Sequence, residues 1–151
     1  MDAATIQDNV RQIASRFATE GRERQQRRTL DPQDFALLRD AGILLTAVPV
    51  EFGGVWKEPA VSIRPACEIL RTLAHGDPSV ALVSSMHPTV IGFWLIAQAP
   101  QQFEAAWKEQ QRFVFDSARQ GAWWGTIRRT KGCSARSKKV NSRAAAPSRG
   151  R

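Results

Sequence analysis

One histidine in this sequence has the surroundings of a chemically active side chain. His87 follows Ser84, Ser85 and Met86 in an otherwise apolar stretch, where a buried imidazole needs a hydrogen-bonding partner. A neutral imidazole has one donor and one acceptor nitrogen, so it can hydrogen-bond to a substrate or act as a general acid or base. The alternative is an interior histidine that the fold itself satisfies. His87 is therefore the candidate catalytic residue, with both interpretations open.

The sequence contains no motif that identifies a complete active site. It has no glycine-rich phosphate loop, no HExxH zinc motif and no GxSxG nucleophile motif. Its two cysteines, Cys67 and Cys133, lack CxxC spacing and are too few for a zinc site or a disulfide framework. We therefore predict no bound metal and a reduced, cytoplasmic protein. Arg24, Arg27 and Arg28 can hold an anion or form a solvated charged surface, and their sequence context favours the solvated surface.

Positive charge is concentrated at the C-terminal end. The 151 residues contain 22 Lys and Arg against 14 Asp and Glu, a net charge of +8. Nine of the basic residues and no acidic residue lie in 128–151, whereas 1–127 has thirteen basic and fourteen acidic residues. This tail cannot form a core and is predicted to be disordered. A small basic protein that uses the tail to bind nucleic acid or another partner is the alternative function, although the tail has no aromatic residue to stack on bases.

Amphipathic helices must position the histidine. Apolar residues recur every three or four positions near the N-terminus and predict a helix over about 3–20: Ile6, Val10, Ile13 and Phe17. The stretch 21–28 loses this periodicity and is predicted to be a frayed extension or a connector. A second helix is predicted from its N-cap Asp31 to its C-cap Gly42, with Phe35 and Leu38 buried. The apolar stretch 43–54 is predicted to be an extended loop.

Two further helices precede and contain His87. The first is predicted over about 62–75, with Pro65 in its first turn and with Ile63 and Cys67 on its buried face. The second is predicted over about 79–98. Because it is apolar on most sides, it should be the most buried helix of a bundle, and Pro88 should kink it. The polar residues within this stretch argue against a membrane span, and no membrane partner is expected.

The helical part is predicted to end near residue 112. A fifth helix should run from Pro100 to about Gln111, followed by a loop over 113–121. The residues AWWGTI at 122–127 have the composition of a β-strand. A single strand cannot satisfy its own backbone hydrogen bonds, so it is interpreted as the entry to a sheet that this chain lacks. The predicted fold class is therefore all-α, an antiparallel helical bundle.

Three stretches in order resemble the N-terminal helical domain of the acyl-CoA dehydrogenase family, including its flavin-dependent monooxygenase branch. They are LRDAGILLTAVPVEFGG at 38–54, ACEILRTLAHGDPSVALVSSMHP at 66–88 and AWWGTI at 122–127. The resemblance implies an α domain followed by a β domain and a C-terminal helical domain, with FAD (or FMN) as cofactor. It also implies a homo-oligomer and an acyl-CoA or small aromatic substrate. The implied enzyme is a flavoprotein oxidoreductase acting on CH–CH groups, or a related monooxygenase.

The resemblance also implies roles for individual residues. Ser85 and Met86 match positions that line the substrate pocket, and His87 matches a histidine that faces the flavin in monooxygenase-like relatives. Thr126 would lie near the backbone that approaches the flavin. The helical domain supplies only one wall of such a pocket, and the catalytic carboxylate lies in the C-terminal part of the family. A fragment without that part is expected to be inactive alone.

The resemblance ends at Arg128. The family usually continues here with a Thr/Ser-Glu-Pro-Gly-rich segment, whereas this chain continues with RRTKGCSARSKK. Resemblance, apolar content and charge all change at this one residue, which indicates a frameshift in the coding sequence. We therefore predict a helical domain over 1–127, ending at the first strand of a missing β domain, and an out-of-frame basic tail over 128–151.

Overall fold

The computed structural model describes residues 1–125, and these residues form α-helices joined by loops, without a β-strand. The α-helices are α1 (Ala3–Thr19), α2 (Gly21–Gln26), α3 (Pro32–Asp40), α4 (Pro59–Gly76), α5 (Pro78–Ser84), α6 (Met86–Ile96) and α7 (Glu104–Arg119). The predicted all-α class is confirmed. The residues 122–125 have no regular structure, and the rest of the predicted strand, Thr126 and the predicted disorder of 128–151 lie outside the described residues.

The helices α1 and α4 form the main contact of the bundle. Asp2 caps α1 by accepting a hydrogen bond of 2.8 Å from the Thr5 N–H, as its carboxylate is suited to do. The predicted apolar stripe of α1 is buried except for Ile13, which is partly buried, and the stripe packs against Ile69 and Leu73 of α4. The two helices meet so closely at Gly76 that a Cβ there would lie 2.4 Å from the carbonyl oxygen of Ala14. A glycine at this position is therefore required by the packing.

Helix α3 has the caps that its sequence predicts. Asp31 Oδ1 accepts a hydrogen bond of 2.9 Å from the Gln33 N–H, and Gly42 adopts the left-handed conformation with a φ of 91°. The loop that follows is more structured than the extended segment predicted: it contains two 3₁₀ turns, Ile43–Leu45 and Val50–Phe52, and a bridge between Pro49 and Trp56. These turns fix the backbone that will contact His87.

Helix α4 begins three residues earlier than predicted. Pro59 occupies its first turn, which places Pro65 further inside the helix. The predicted buried face is wrong in part, because Ile63 is 51% exposed and Cys67 is also exposed. Helix α4 carries apolar side chains on several of its faces. Periodicity alone therefore did not identify the face centred on Ile69, which packs against α1.

The predicted fourth helix is two helices, α5 and α6, separated at Ser85. The break lies one turn before Pro88, because this proline has no N–H to bond the carbonyl of Ser84. The prediction that this helix is the most buried one is wrong: Leu82 and Ile96 are 68% and 72% exposed. An apolar composition on all sides did not lead to burial on all sides within the described residues.

Helix α7 extends beyond its predicted end. The residues 113–119, predicted as loop, continue the helix because Val114, Phe115 and Ala118 are buried against the rest of the bundle. The helix ends before Gly121, which has a φ of 99°. The chain then turns back and passes over α6 at Trp123 and Trp124.

Candidate functional site

His87 lies in the first turn of α6 and is fully buried. Its Nε2 is 3.0 Å from the carbonyl oxygen of Leu44, and its Nδ1 is 3.0 Å from the backbone nitrogen of Trp124. Since a carbonyl only accepts and a backbone N–H only donates, Nε2 must carry the proton and Nδ1 must accept. The ring therefore links the loop after α3, helix α6 and the segment 122–125.

Burial keeps this imidazole neutral. It lowers the pKa of His87 to about 4, and the hydrogen bond to Leu44 opposes the decrease only in part. With both nitrogens bonded to backbone groups, the ring has none left for a substrate in this conformation. The geometry supports the structural interpretation, and the catalytic role of His87 stays a prediction.

The three residues that precede His87 differ in their contacts. The Ser85 hydroxyl donates a hydrogen bond of 2.7 Å to the Leu82 carbonyl in the last turn of α5, and the residue does not line the cavity described next. Met86 does line that cavity. Ser84 is fully buried, and its hydroxyl has no hydrogen-bond partner among residues 1–125. Of the two residues predicted for the pocket besides His87, the structure thus places Met86 at a cavity and Ser85 beside it.

An open cavity of about 600 Å³ lies between α3, α5, α6 and the segment 123–125. Its walls are largely aromatic or aliphatic: Leu30, Pro32, Phe35, Ala36, Val83, Met86, Trp123 and Trp124. Arg39 is the one charged residue among the described residues that line it. Trp123 makes an edge contact with Phe35, with ring centroids 5.4 Å apart, and Trp124 Nε1 donates a hydrogen bond of 2.9 Å to Ser117. Both tryptophans are therefore packed walls of the cavity.

Sequence reasoning missed a second polar centre around Arg24. This guanidinium is buried and donates hydrogen bonds of 2.5 Å to Asp34 and 2.7 Å to Asp77, with a longer bond of 3.3 Å to Glu20. It also lies 3.6 Å from the ring centroid of Phe17. The solvated surface predicted for Arg24 is therefore wrong. Burial opposes the charged forms, but the hydrogen bonds to Asp34 and Asp77 raise the pKa of Arg24 above its ordinary value. The pKa of Asp77 lies below its ordinary value despite burial, because its carboxylate accepts hydrogen bonds from the Val80 N–H and from Arg24.

A signal for this network was present in the sequence. Asp34 lies in the first turn of α3, and Asp77 is the N-cap of α5, where it accepts hydrogen bonds from the N–H groups of Ser79 and Val80. Carboxylates at helix N-termini are common, so the position of each one is accounted for by its own helix. Only the tertiary fold shows that the two carboxylates also share one arginine.

Comparison with known protein families gives one match. The profile described as "Acyl-CoA dehydrogenase, N-terminal domain" matches residues 2–116. The chain belongs to the acyl-CoA dehydrogenase family. Neither the comparison with curated proteins nor that with solved structures returned a match. The matched acyl-CoA dehydrogenase segment contains Met86, His87 and the Arg24 network, and it ends before Trp123.

The acyl-CoA dehydrogenase family is flavin-dependent in general, so the described residues can be tested for their fit to a flavin. A flavin nucleotide needs hydrogen-bond donors for its ring and its pyrophosphate and walls that exclude water. In the cavity, Arg39 is the one charged group among the described residues, and both nitrogens of His87 are occupied. These residues fit one wall of a pocket but not a flavin site. Thr126, the predicted cofactor contact, lies outside the described residues.

One segment of this acyl-CoA dehydrogenase domain is apolar and long enough to cross a membrane by length and composition alone. It is Pro78–Ile96, with a mean hydropathy of 1.5 over its most apolar window. The core helix of a soluble domain passes the same test, and this segment is interrupted at Ser85. No cluster of three or more His, Cys, Asp or Glu side chains within residues 1–125 has the arrangement of a metal site.

Proposed function

We propose that this chain is the N-terminal helical part of a flavin-dependent oxidoreductase and that it supplies one wall of the substrate pocket. The observation that carries the proposal is the cavity at which Met86 of α6 meets Trp123 and Trp124. Family membership supports the flavin dependence of the complete enzyme. The reaction follows from the family: desaturation of an acyl-CoA, or hydroxylation of a substrate by reduced flavin and oxygen.

A chimera tests this role. In an intact acyl-CoA dehydrogenase, the corresponding helical domain is replaced by residues 1–125 of this chain, and a second chimera carries Met86→Arg. The first chimera should retain flavin and turnover. The second should show a raised KM, because a charged side chain enters an apolar pocket wall. Equal KM values for the two chimeras would show that Met86 does not face the substrate.

His87 does not favour either branch of the family. A free imidazole beside the flavin would have favoured the monooxygenase, but this ring is neutral and bonded to Leu44 and Trp124. The branch is identified by the electron partner of an intact homologue. Oxygen consumption that requires a reductase indicates the monooxygenase, and activity with an electron-transferring flavoprotein indicates the dehydrogenase.

The division of the chain at residue 127 is part of the proposal. Support comes from composition, because the nine basic residues of 128–151 follow a segment of nearly balanced charge. The nucleotide sequence after the Ile127 codon tests the division: an overlapping open frame that encodes a β domain supports a frameshift. The alternative function, salt-sensitive binding of nucleic acid by the tail, predicts that removing 128–151 abolishes that binding.

A further inference from the structure

We propose that the cavity of this chain binds a flat aromatic carboxylate, with its ring against Phe35, Trp123 and Trp124 and its carboxylate on Arg39. The inference rests on the proposed function in one respect, because Met86 lines this cavity and also belongs to the wall proposed for the substrate pocket. It goes further by naming the ligand chemistry and by requiring no flavin. The walls, the charged group and the size of the cavity each support it.

The aromatic walls are held in place by contacts with one another and with residues outside the cavity. Phe35 and Trp123 meet edge to face at 5.4 Å between centroids, and Trp123 lies 5.6 Å from the ring of His87 in a similar geometry. The backbone of Trp124 is bonded to His87, and its indole N–H is bonded to Ser117. Aromatic rings attract one another in edge and offset contacts, so walls fixed in this way select a flat ring. A wall that is already ordered costs little conformational entropy on binding.

Arg39 provides the charge that a carboxylate needs. Its Nε donates a hydrogen bond of 3.0 Å to Asp40, and within residues 1–125 this is the only hydrogen bond of the guanidinium. Among these residues, nothing accepts from its Nη nitrogens, which leaves their donors for a ligand. The side chain lies over Gly121, where a Cβ would come within 2.8 Å of the Arg39 Cδ. Arginine matches the planar geometry of a carboxylate, and Asp40 does not line the cavity.

The size of the cavity limits the ligand. A volume of about 600 Å³ lies in the ordinary range for small-molecule sites and exceeds the need of a single ring. Two fused rings with one carboxylate fill such a space better. The Met86 side chain adds a thioether to the wall, and thioethers contact aromatic rings favourably. The probe is therefore 2-naphthoate.

Isothermal titration calorimetry of the full chain with 2-naphthoate tests the inference. We expect saturable binding with one site per chain, and Arg39→Gln should weaken it about tenfold because a charge-assisted hydrogen bond is lost. Arg71→Gln is the control, since the Arg71 side chain is also exposed to solvent, pairs with the carboxylate of Glu68 and lies on α4 away from the cavity. If both variants lose affinity equally, the anion responds to the overall positive charge of the chain, and the inference is overturned.

A second pair of variants tests the apolar wall. Val83 lines the cavity and is 47% exposed, so Val83→Asp should abolish binding while the domain stays folded. Leu82→Asp introduces the same charge one residue away and outside the cavity, and it should leave the affinity within about twofold. Circular dichroism checks that both variants are folded. Should Val83→Asp unfold the chain, the comparison of Arg39→Gln with Arg71→Gln still decides.

Two further ligands separate the parts of the inference. Decanoate carries the same head group on a flexible chain and should bind at least fivefold more weakly than 2-naphthoate; equal or tighter binding overturns the aromatic preference. Neutral 2-naphthalenemethanol should also bind more weakly, and equal affinity overturns the role of Arg39. No binding of 2-naphthoate overturns the inference as a whole. The proposed function is tested on an intact enzyme, so the two can fail independently.

Discussion

At the scale of single residues, His87 joins distant parts of the chain without carrying charge. Its two hydrogen bonds satisfy the carbonyl of Leu44 and the N–H of Trp124, which lie 43 and 37 residues away in sequence. Buried polar backbone groups are costly when they lose their partners. The imidazole therefore contributes to stability and to the position of the segment that closes the cavity.

Replacing His87 should destabilise the domain. His87→Ala leaves two buried backbone groups without partners and opens a small cavity, so the free energy of unfolding should fall by about 2–4 kcal/mol. Urea denaturation followed by circular dichroism measures the change. His75→Ala is the control, because His75 is exposed at the end of α4, and its effect should stay within about 0.5 kcal/mol. A similar loss of unfolding free energy in both variants would contradict the structural role of His87.

The same histidine should make the stability depend on pH. Burial lowers the pKa of His87 to about 4, whereas the unfolded chain has a value near 6.5, so the unfolded state binds more protons between these values. The contribution of His87 to the free energy of unfolding should therefore be fully present above about pH 6.5. It should fall by up to about 3 kcal/mol as the pH decreases to 4. The measurement is the difference in unfolding free energy between the wild type and His87→Gln across this range. A difference that does not vary with pH would show that His87 is accessible to protons in the folded state.

At the scale of helices, the Arg24 network ties α2, α3 and α5 together. Arg24→Met leaves Asp34 and Asp77 buried without their cation, which should cost about 3–5 kcal/mol in unfolding free energy. The control is Arg27→Met at the C-cap of the same helix, where the partner Glu23 is exposed and the expected loss is below about 1 kcal/mol. Thermal or chemical denaturation of both variants provides the test. An equal loss of unfolding free energy in the two variants would mean that the buried ion pairs of Arg24 stabilise the fold no more than an exposed ion pair does.

Local sequence signals predicted the positions of the helices well, but they predicted poorly which helix faces are buried. Asp31, Pro32 and Gly42 located α3 because caps act within a few residues. The face of α4 and the burial of α5 and α6 were not predicted, since apolar residues on several sides of a helix do not reveal which neighbour will cover them. The same limit applies to the site: Met86 was expected at a pocket by resemblance, but the partners of His87 and Arg24 are long-range and leave no short motif.

At the scale of the whole molecule, several large apolar side chains remain in contact with solvent. Leu82, Phe93 and Ile96 on α5 and α6 are more than half exposed, which is unusual for a monomeric domain. The chain should therefore self-associate, and replacing Phe93 and Ile96 by Glu should reduce the association constant about tenfold or more. Sedimentation velocity over a range of concentrations measures it. Gln12→Glu with Ser15→Glu, on exposed polar positions of α1, is the control, because it adds the same two charges without removing apolar surface and should leave association unchanged.

The central claim is that these 151 residues supply one wall of a flavin enzyme and do not hold the flavin themselves. The most direct measurement is the visible absorption spectrum of the purified chain after incubation with excess FAD or FMN and gel filtration. We expect a protein peak without flavin absorbance, because the described cavity offers one cation and no free histidine nitrogen. A peak that retains one flavin per chain would contradict it.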